Sequence, residues 1–253
     1  MAQLSSGAAL ILRHIDYGEA DRIVTFLTPE QGLMKGFARA ARKSRKRFGA
    51  SLEPFSRVNL SWSEGRGALC SLRDAELIDA RTALRADLRC FALACYGVEL
   101  TEIVLHDASS QPEIYLLLNA YLDHLVTATD TETARLLFEV RLVQLLGYIP
   151  HLLHCSDCFG PLGTDLVVFD VSRGGSLCDL CSGGHPPLRV QAGTLGSLAR
   201  SLRTPVDRFA GFRFGETTLS EGRHLIDSVL ALTLSHQPKS LDLIDKIRLP
   251  PGP

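Results

Sequence analysis

A chain of 253 residues with 45% apolar residues, 22% charged residues and a formal net charge of -1 can bury a sizeable core without covalent staples. Its nearest approach to the run of about 18 apolar residues that spans a membrane is residues 142–153, and Gln144, Gly147, Pro150 and His151 interrupt it. The opening segment lacks the basic-then-apolar order of a secretory signal, and the seven cysteines include two close pairs. A reducing, cytoplasmic location is therefore expected.

Residues 8–78 carry the pattern of short strands separated by turns. The expected strands are 8–15, 22–28, 32–40, 55–63 and 68–78. In the fourth, Val58, Leu60 and Trp62 form the inward face, and Gly65-Arg66-Gly67 reads as the hairpin turn into the fifth. Five strands in about 70 residues imply a small barrel of OB or SH3-like type.

The near-neutral total hides an asymmetry: residues 1–80 hold 12 Lys and Arg against 9 Asp and Glu, while the remainder holds 15 against 19. Between the third and fourth strands lie Arg39, Arg42, Lys43, Arg45, Lys46 and Arg47, with Lys35 just upstream and no acid between Glu30 and Glu53. Such charges repel one another, so clustering them is favourable only beside a polyanion. Nucleic acid is the expected partner, with Arg66 extending the surface. Gly36, Gly49 and small neighbours suggest a loop free to follow a phosphate backbone. Phe37, Phe48 and Trp62 are candidate stacking rings, Trp62 being better suited to the core. Neutralising about four phosphates on a single strand would give a salt slope near roughly -3.

From residue 81 the period becomes helical. Leu84, Leu88, Phe91, Cys95, Val98 and Leu105 form one stripe, and further helices are expected over 113–127, 132–146, 194–202 and 219–235. Pro112 suits a first helical position. Pro250, Pro251 and Pro253 suggest an unstructured tail. The expected organisation is α+β and multidomain: an N-terminal barrel over 1–80, an all-α domain over 81–149 and 188–253, and a metal module over 150–187.

That module carries Cys155, Cys158, Cys178 and Cys181 as Cys-x2-Cys-x19-Cys-x2-Cys. Two knuckles of two thiolates make a tetrahedral all-sulfur site suited to structural zinc, although iron could substitute. A closed sulfur shell leaves no position for substrate. His151, His154 and His185 flank it, with His154 as a reserve ligand. Cys70, Cys90 and Cys95 read as buried small residues.

The sequence lacks a Gly-x-Ser-x-Gly elbow, a phosphate-binding P-loop and a dinucleotide fingerprint. Glu99 and Glu102, one helical turn apart, and Asp107 could hold magnesium in a nuclease. No small-molecule substrate is suggested. The alternatives are thus a nucleic-acid-binding protein without catalytic groups, an RNA- or ribosome-associated zinc-ribbon factor, and a metal-dependent nuclease.

The run ALILRHIDYGEADRIVTFLTPEQGLMKGFARAARKSRKRFGASLEPF, with its Asp16-Tyr17-Gly18-Glu19 turn and basic stretch, resembles the opening barrel of the bacterial RecO family. LGYIPHLLHCSDC is similar to that family's entry into its metal module. The resemblance implies an OB-fold, a helical domain and a zinc ribbon. It also implies binding of single- and double-stranded DNA, annealing of complementary strands, and cooperation with RecR and the single-stranded DNA-binding protein so that RecA is loaded. The C-terminal end departs from the family pattern, keeping only Pro238-Lys239-Ser240 and residues 246–248 of its basic segment.

Overall fold

The computed structural model describes residues 4–44, 46–64, 69–105, 110–183 and 188–248. These fall into two compact units, residues 1–127 with 238–253 and residues 128–237. The division cuts the chain in other places than the sequence pattern does.

Five strands open the first unit: β1 (Leu4–Tyr17), β2 (Asp21–Thr28), β3 (Gly32–Ala38), β4 (Arg57–Ser63) and β5 (Cys70–Asp79). They pair in the order β1-β2-β3-β5-β4, and β4 returns to β1 to complete the ring, as in the expected OB architecture. The β3–β5 seam is thin, consisting of the parallel pairs Gly36 with Cys70 and Phe37 with Ser71. Gly36 permits it, because a Cβ there would collide with Leu72 Cδ2 and stand 3.1 Å from Cys70 Sγ. Alternation fills the interior with Ala9, Ile11, Val24, Phe26, Val58, Leu60 and Trp62. β1 is buried on both faces over Ala9–Leu12, so it serves the barrel interior and the helices outside it.

Those helices are α1 (Leu88–Val104) and α2 (Pro112–Thr127). Asp87 caps α1, accepting from the Cys90 N–H at 2.7 Å, and Pro112 opens α2 as expected. Arg81, 4% exposed and in the left-handed region at φ 44°, ties barrel to helix. It donates to Asp123 at 2.7 Å, to the Phe55 carbonyl at 2.9 Å and to Asn119 Oδ1 at 2.9 Å. The expected apolar stripe of α1 is not its most buried side. Leu88 is exposed and Phe91 and Cys95 are half-buried, while Leu93, Tyr96, Gly97 and Leu100 are buried. The helix is apolar nearly all round, which is why one stripe misplaced its inner face.

The second unit holds α3 (Thr131–Leu145), a three-stranded sheet β6 (Leu166–Asp170), β7 (Gly175–Leu177) and β8 (Leu188–Gln191) in the order β7-β6-β8, then α4 (Ala192–Ser201) and α5 (Glu216–Thr233). Leu136, Val140 and Val143 on α3 are fully buried, as their spacing implies. A final helix, α6 (Ser240–Arg248), belongs to the first unit and was not expected from the sequence. The proline-rich end lies outside the described residues.

Candidate nucleic-acid interface and metal centre

The basic segment is fixed to the barrel rather than free. A short 3-10 turn spans Ala41–Lys43, and Ala41, Phe48 and Leu52 insert into the barrel core. The Ala75 N–H donates to the Arg47 carbonyl at 2.9 Å, and the Arg42 N–H to the Ala20 carbonyl at 3.0 Å. This corrects the expectation of a mobile loop: Ala41, Phe48 and Leu52 anchor the cationic segment from beneath. Phe48, expected as a stacking ring, is instead core, 2% exposed beneath Arg47 with the guanidinium 5.0 Å from its ring centroid. Trp62 is core as well.

Lys35, Arg39, Arg42, Lys43, Lys46 and Arg47 are all exposed; Arg45 and Arg66 lie outside the described residues. Arg47 donates to the Arg39 carbonyl at 2.8 Å, and Arg42 to the Glu19 carbonyl at 3.4 Å while standing 3.6 Å from Asp16. These two therefore shape the segment. Three of the neighbouring acids are engaged: Asp16 and Glu53 with Arg22 at 3.1 and 3.0 Å, and Asp21 with the Ala40 N–H at 2.7 Å; Glu19 is exposed. Arg39, Lys43 and Lys46 thus form no ion pair with a described carboxylate, whereas the Lys35 charge is partly offset by Glu102, which lines the same pocket.

Strand register adds a feature the sequence reading missed. Arg13, Ile15 and Tyr17 alternate out of one face of β1, opposite Thr25, Ile23 and Asp21, and β3 continues it with Lys35 opposite Thr25 and Phe37 opposite Ile23. Tyr17 is 57% exposed and meets Phe37 edge to face at 5.9 Å. An exposed tyrosine against a half-buried phenylalanine, beside a row of cations, suits unpaired bases and their phosphates together. Tyr17 could have been found from the alternation Arg13-Ile15-Tyr17, had β1 been carried through to its end.

Glu99 and Glu102 line one pocket, but each carboxylate is engaged by a different partner. Both carboxylate oxygens of Glu102 accept from Arg13 Nε, at 2.9 and 3.0 Å; burial raises its pKa, and Arg13 opposes that rise. Glu99 accepts from the N–H groups of Lys239 and Ser240. Asp107 is outside the described residues. Two carboxylates committed to an arginine and a helix end remove the geometric basis for a paired-carboxylate metal site on α1.

In the second unit the sulfur atoms of Cys155, Cys158, Cys178 and Cys181 lie within 4.8 Å of one another, the only metal-type cluster among the described residues. Cys158 and Cys178 Sγ are 3.7 Å apart, close to the edge of about 3.8 Å that a tetrahedron with arms of ~2.3 Å requires. Turns aim backbone N–H groups at the sulfurs. Burial works against ionisation of Cys155, but N–H groups of Cys158, Cys178 and Asp157 outweigh it and lower its pKa to about 6. The Cys181 thiol donates to Cys178 and Cys158, which holds its proton and lifts its pKa to about 12; a metal ion would displace that proton. Cys155, Val168 and Leu177 form the small core under the site. Gly175, at φ 134°, lets β7 meet His151; a Cβ there would sit 2.7 Å from the His151 nitrogen.

His154 is engaged elsewhere. It stacks on Phe159 at 5.6 Å and faces His151 Nδ1 at 2.7 Å, so the four thiols close the shell without it; His185 lies outside the described residues. Of the remaining cysteines, Cys70 is buried, whereas Cys90 and Cys95 are only half-buried.

Barrel, cationic rim, helices and four-thiol knuckle together define a class of small-barrel protein with a built-in metal-type centre; no described helix is long and apolar enough to cross a membrane. The family models described as Recombination protein O N terminal and C terminal match residues 1–81 and 85–242. DNA repair protein RecO of Syntrophotalea carbinolica is 48% identical over 96% of this chain and 94% of its own. The RecO proteins of Pelobacter propionicus and Myxococcus xanthus are 36% and 34% identical over 94% and 95% of this chain, and 95% and 97% of theirs. The chain belongs to the RecO family of DNA repair and recombination proteins.

Proposed function

We propose that this protein is a non-catalytic mediator of recombinational repair that binds single- and double-stranded DNA through the 1–80 barrel and anneals complementary strands. Lys35, Arg39, Arg42, Lys43, Arg45, Lys46 and Arg47, with Arg66, neutralise the phosphates, and Tyr17 and Phe37 take unpaired bases. The observation that carries this reading is the anchoring of the basic segment by Phe48 and Leu52, which holds its exposed cations on the barrel surface. Two strands repel through their phosphates, so a surface that screens both while leaving bases accessible lowers the barrier to pairing without an active site. Family membership supports RecR, the single-stranded DNA-binding protein and, through them, RecA as partners. It also supports action in the cytoplasm at the nucleoid.

The 150–187 module is read as a structural zinc site, one Zn2+ per chain, held by Cys155, Cys158, Cys178 and Cys181. The ion supplies the cross-link that this segment's small apolar core does not.

The test is oligonucleotide affinity against salt for the full chain and for a variant with Arg39, Lys43 and Lys46 changed to Ala. The variant should bind more weakly, with a slope shallower by about 2 for three lost single-strand phosphate contacts. Unchanged affinity and slope would remove the barrel from the DNA interface.

A further inference from the structure

A second cationic surface lies in the other unit, on the connection between α4 and α5. From residue 180 to 215 the chain holds five arginines and one acid, Asp207. Arg200 is accounted for locally, since it lies in the last turn of α4, where a cation favours the helix end. Arg203, Arg208 and Arg213 have no such role. All three are exposed, and none pairs with a described carboxylate.

The connection that carries them is held from below. Arg141 on α3 is fully buried; it donates to Thr204 Oγ1 at 2.7 Å and to the Val206 carbonyl at 3.1 Å, and its guanidinium lies 5.1 and 5.3 Å from the Phe209 and Phe212 ring centroids. Burial lowers the Arg141 pKa to about 10, a cost opposed by Asp207. Thr133, also on α3, accepts the Phe214 N–H at 3.1 Å. A buried cation and an α3 hydroxyl thus fix a loop whose aromatic rings point inward and whose arginines point outward.

We propose that Arg203, Arg208 and Arg213 form a second phosphate-binding surface, which holds a nucleic-acid strand separate from the one on the barrel. This rests on the DNA-binding reading above. Three guanidiniums and no lysine suit the forked geometry of phosphate oxygens. Phe209 and Phe214 are 3% and 8% exposed, so neither ring offers an acidic peptide an apolar face to anchor on. The surface is therefore fitted to a regular polyanion, with little regard to sequence. A protein that brings two strands together needs two such surfaces.

The experiment uses the full chain with two non-complementary oligothymidylates, one immobilised through biotin and one fluorescent, so that co-retention reports bridging without base pairing. Affinity for a single oligothymidylate against salt is measured in parallel. The wild-type protein should retain the fluorescent strand. Arg203→Gln, Arg208→Gln and Arg213→Gln together should abolish retention while leaving single-strand binding, and the matching triple Lys variant should restore most of it. In a background with the barrel cations changed to Ala, the triple Gln change should also reduce the residual salt slope by about 2. Retention and slope unaffected by the Gln changes would overturn the proposal while leaving the barrel reading intact. Loss of polyglutamate binding with both DNA readouts unchanged would assign the loop to an acidic protein and overturn it too. Absence of salt-dependent binding by the wild-type protein would instead sink the DNA-binding reading itself.

Discussion

Glu99 on α1 accepts the backbone N–H of Ser240 at 2.8 Å and its hydroxyl at 2.6 Å, so that a carboxylate from one helix caps the start of another 141 residues later. The Lys239 N–H adds a third bond at 3.0 Å. A negative group here satisfies orphan N–H donors and opposes the positive end of the helix dipole. The contact returns the chain end to the unit in which the chain began.

Glu99→Ala should therefore release α6. The expected loss is about 1–2 kcal/mol, with faster hydrogen exchange confined to residues 240–248 and the α1 surface that they cover. Exchange unchanged in α6 would show that apolar packing, such as that of buried Ile244, holds it without the cap.

Asp87 is the cap of α1, and its acceptance of N–H and thiol donors from Cys90 holds its pKa below the usual carboxyl value. A depressed folded-state pKa gives stability that is present above the unfolded value, about 3.9, and lost as pH falls through the folded one. Asp87→Ala should cost about 1 kcal/mol near neutrality. The gap from wild type in urea titrations should close below pH 4. A gap of constant size at every pH would assign the loss to helix geometry rather than to the charged cap.

Tyr17 and Phe37 should separate unpaired from paired DNA, because only an unpaired base offers a face for stacking. Tyr17→Ala with Phe37→Ala should weaken single-strand binding by about 1–3 kcal/mol for each stacked base. Duplex binding, which draws on the phosphates, should change little. Both residues sit on an outer barrel face, so folding is not the issue. Equal losses for the two substrates would show that the pair acts through the shape of the barrel and not through bases.

How far the sequence foretold this molecule depended on how local each signal was. Short apolar and β-branched runs between turn residues placed β2 to β5 to within two residues of their ends but began β1 four residues late and ended it two short, and Pro112 placed the start of α2. The cysteine spacing alone brought four sulfurs together. What escaped were features whose cause is distant in the chain. The cap of α6 is supplied by Glu99, and the plug that stiffens the basic segment is Phe48, whose neighbours in sequence are cations and glycine. Charge was read in two large blocks. The net negative remainder thereby hid Arg203, Arg208 and Arg213, which only the buried Arg141 beneath them brings into view.

Removing the metal should undo one module and spare the barrel. Four thiolates within 4.8 Å of one another repel, and the core beneath them is Cys155, Val168 and Leu177 with half-buried neighbours. A chelator, or Cys155→Ser with Cys178→Ser, should release about one zinc per chain and unfold residues 150–187, read as rapid hydrogen exchange there. Single-strand binding should persist, since the barrel cations lie in the other unit. Uptake should release protons, most readily counted near neutral pH, because Cys181 otherwise stays protonated up to about 12. A chain that contains no metal and still protects residues 150–187 would show that the knuckles fold on hydrogen bonds alone.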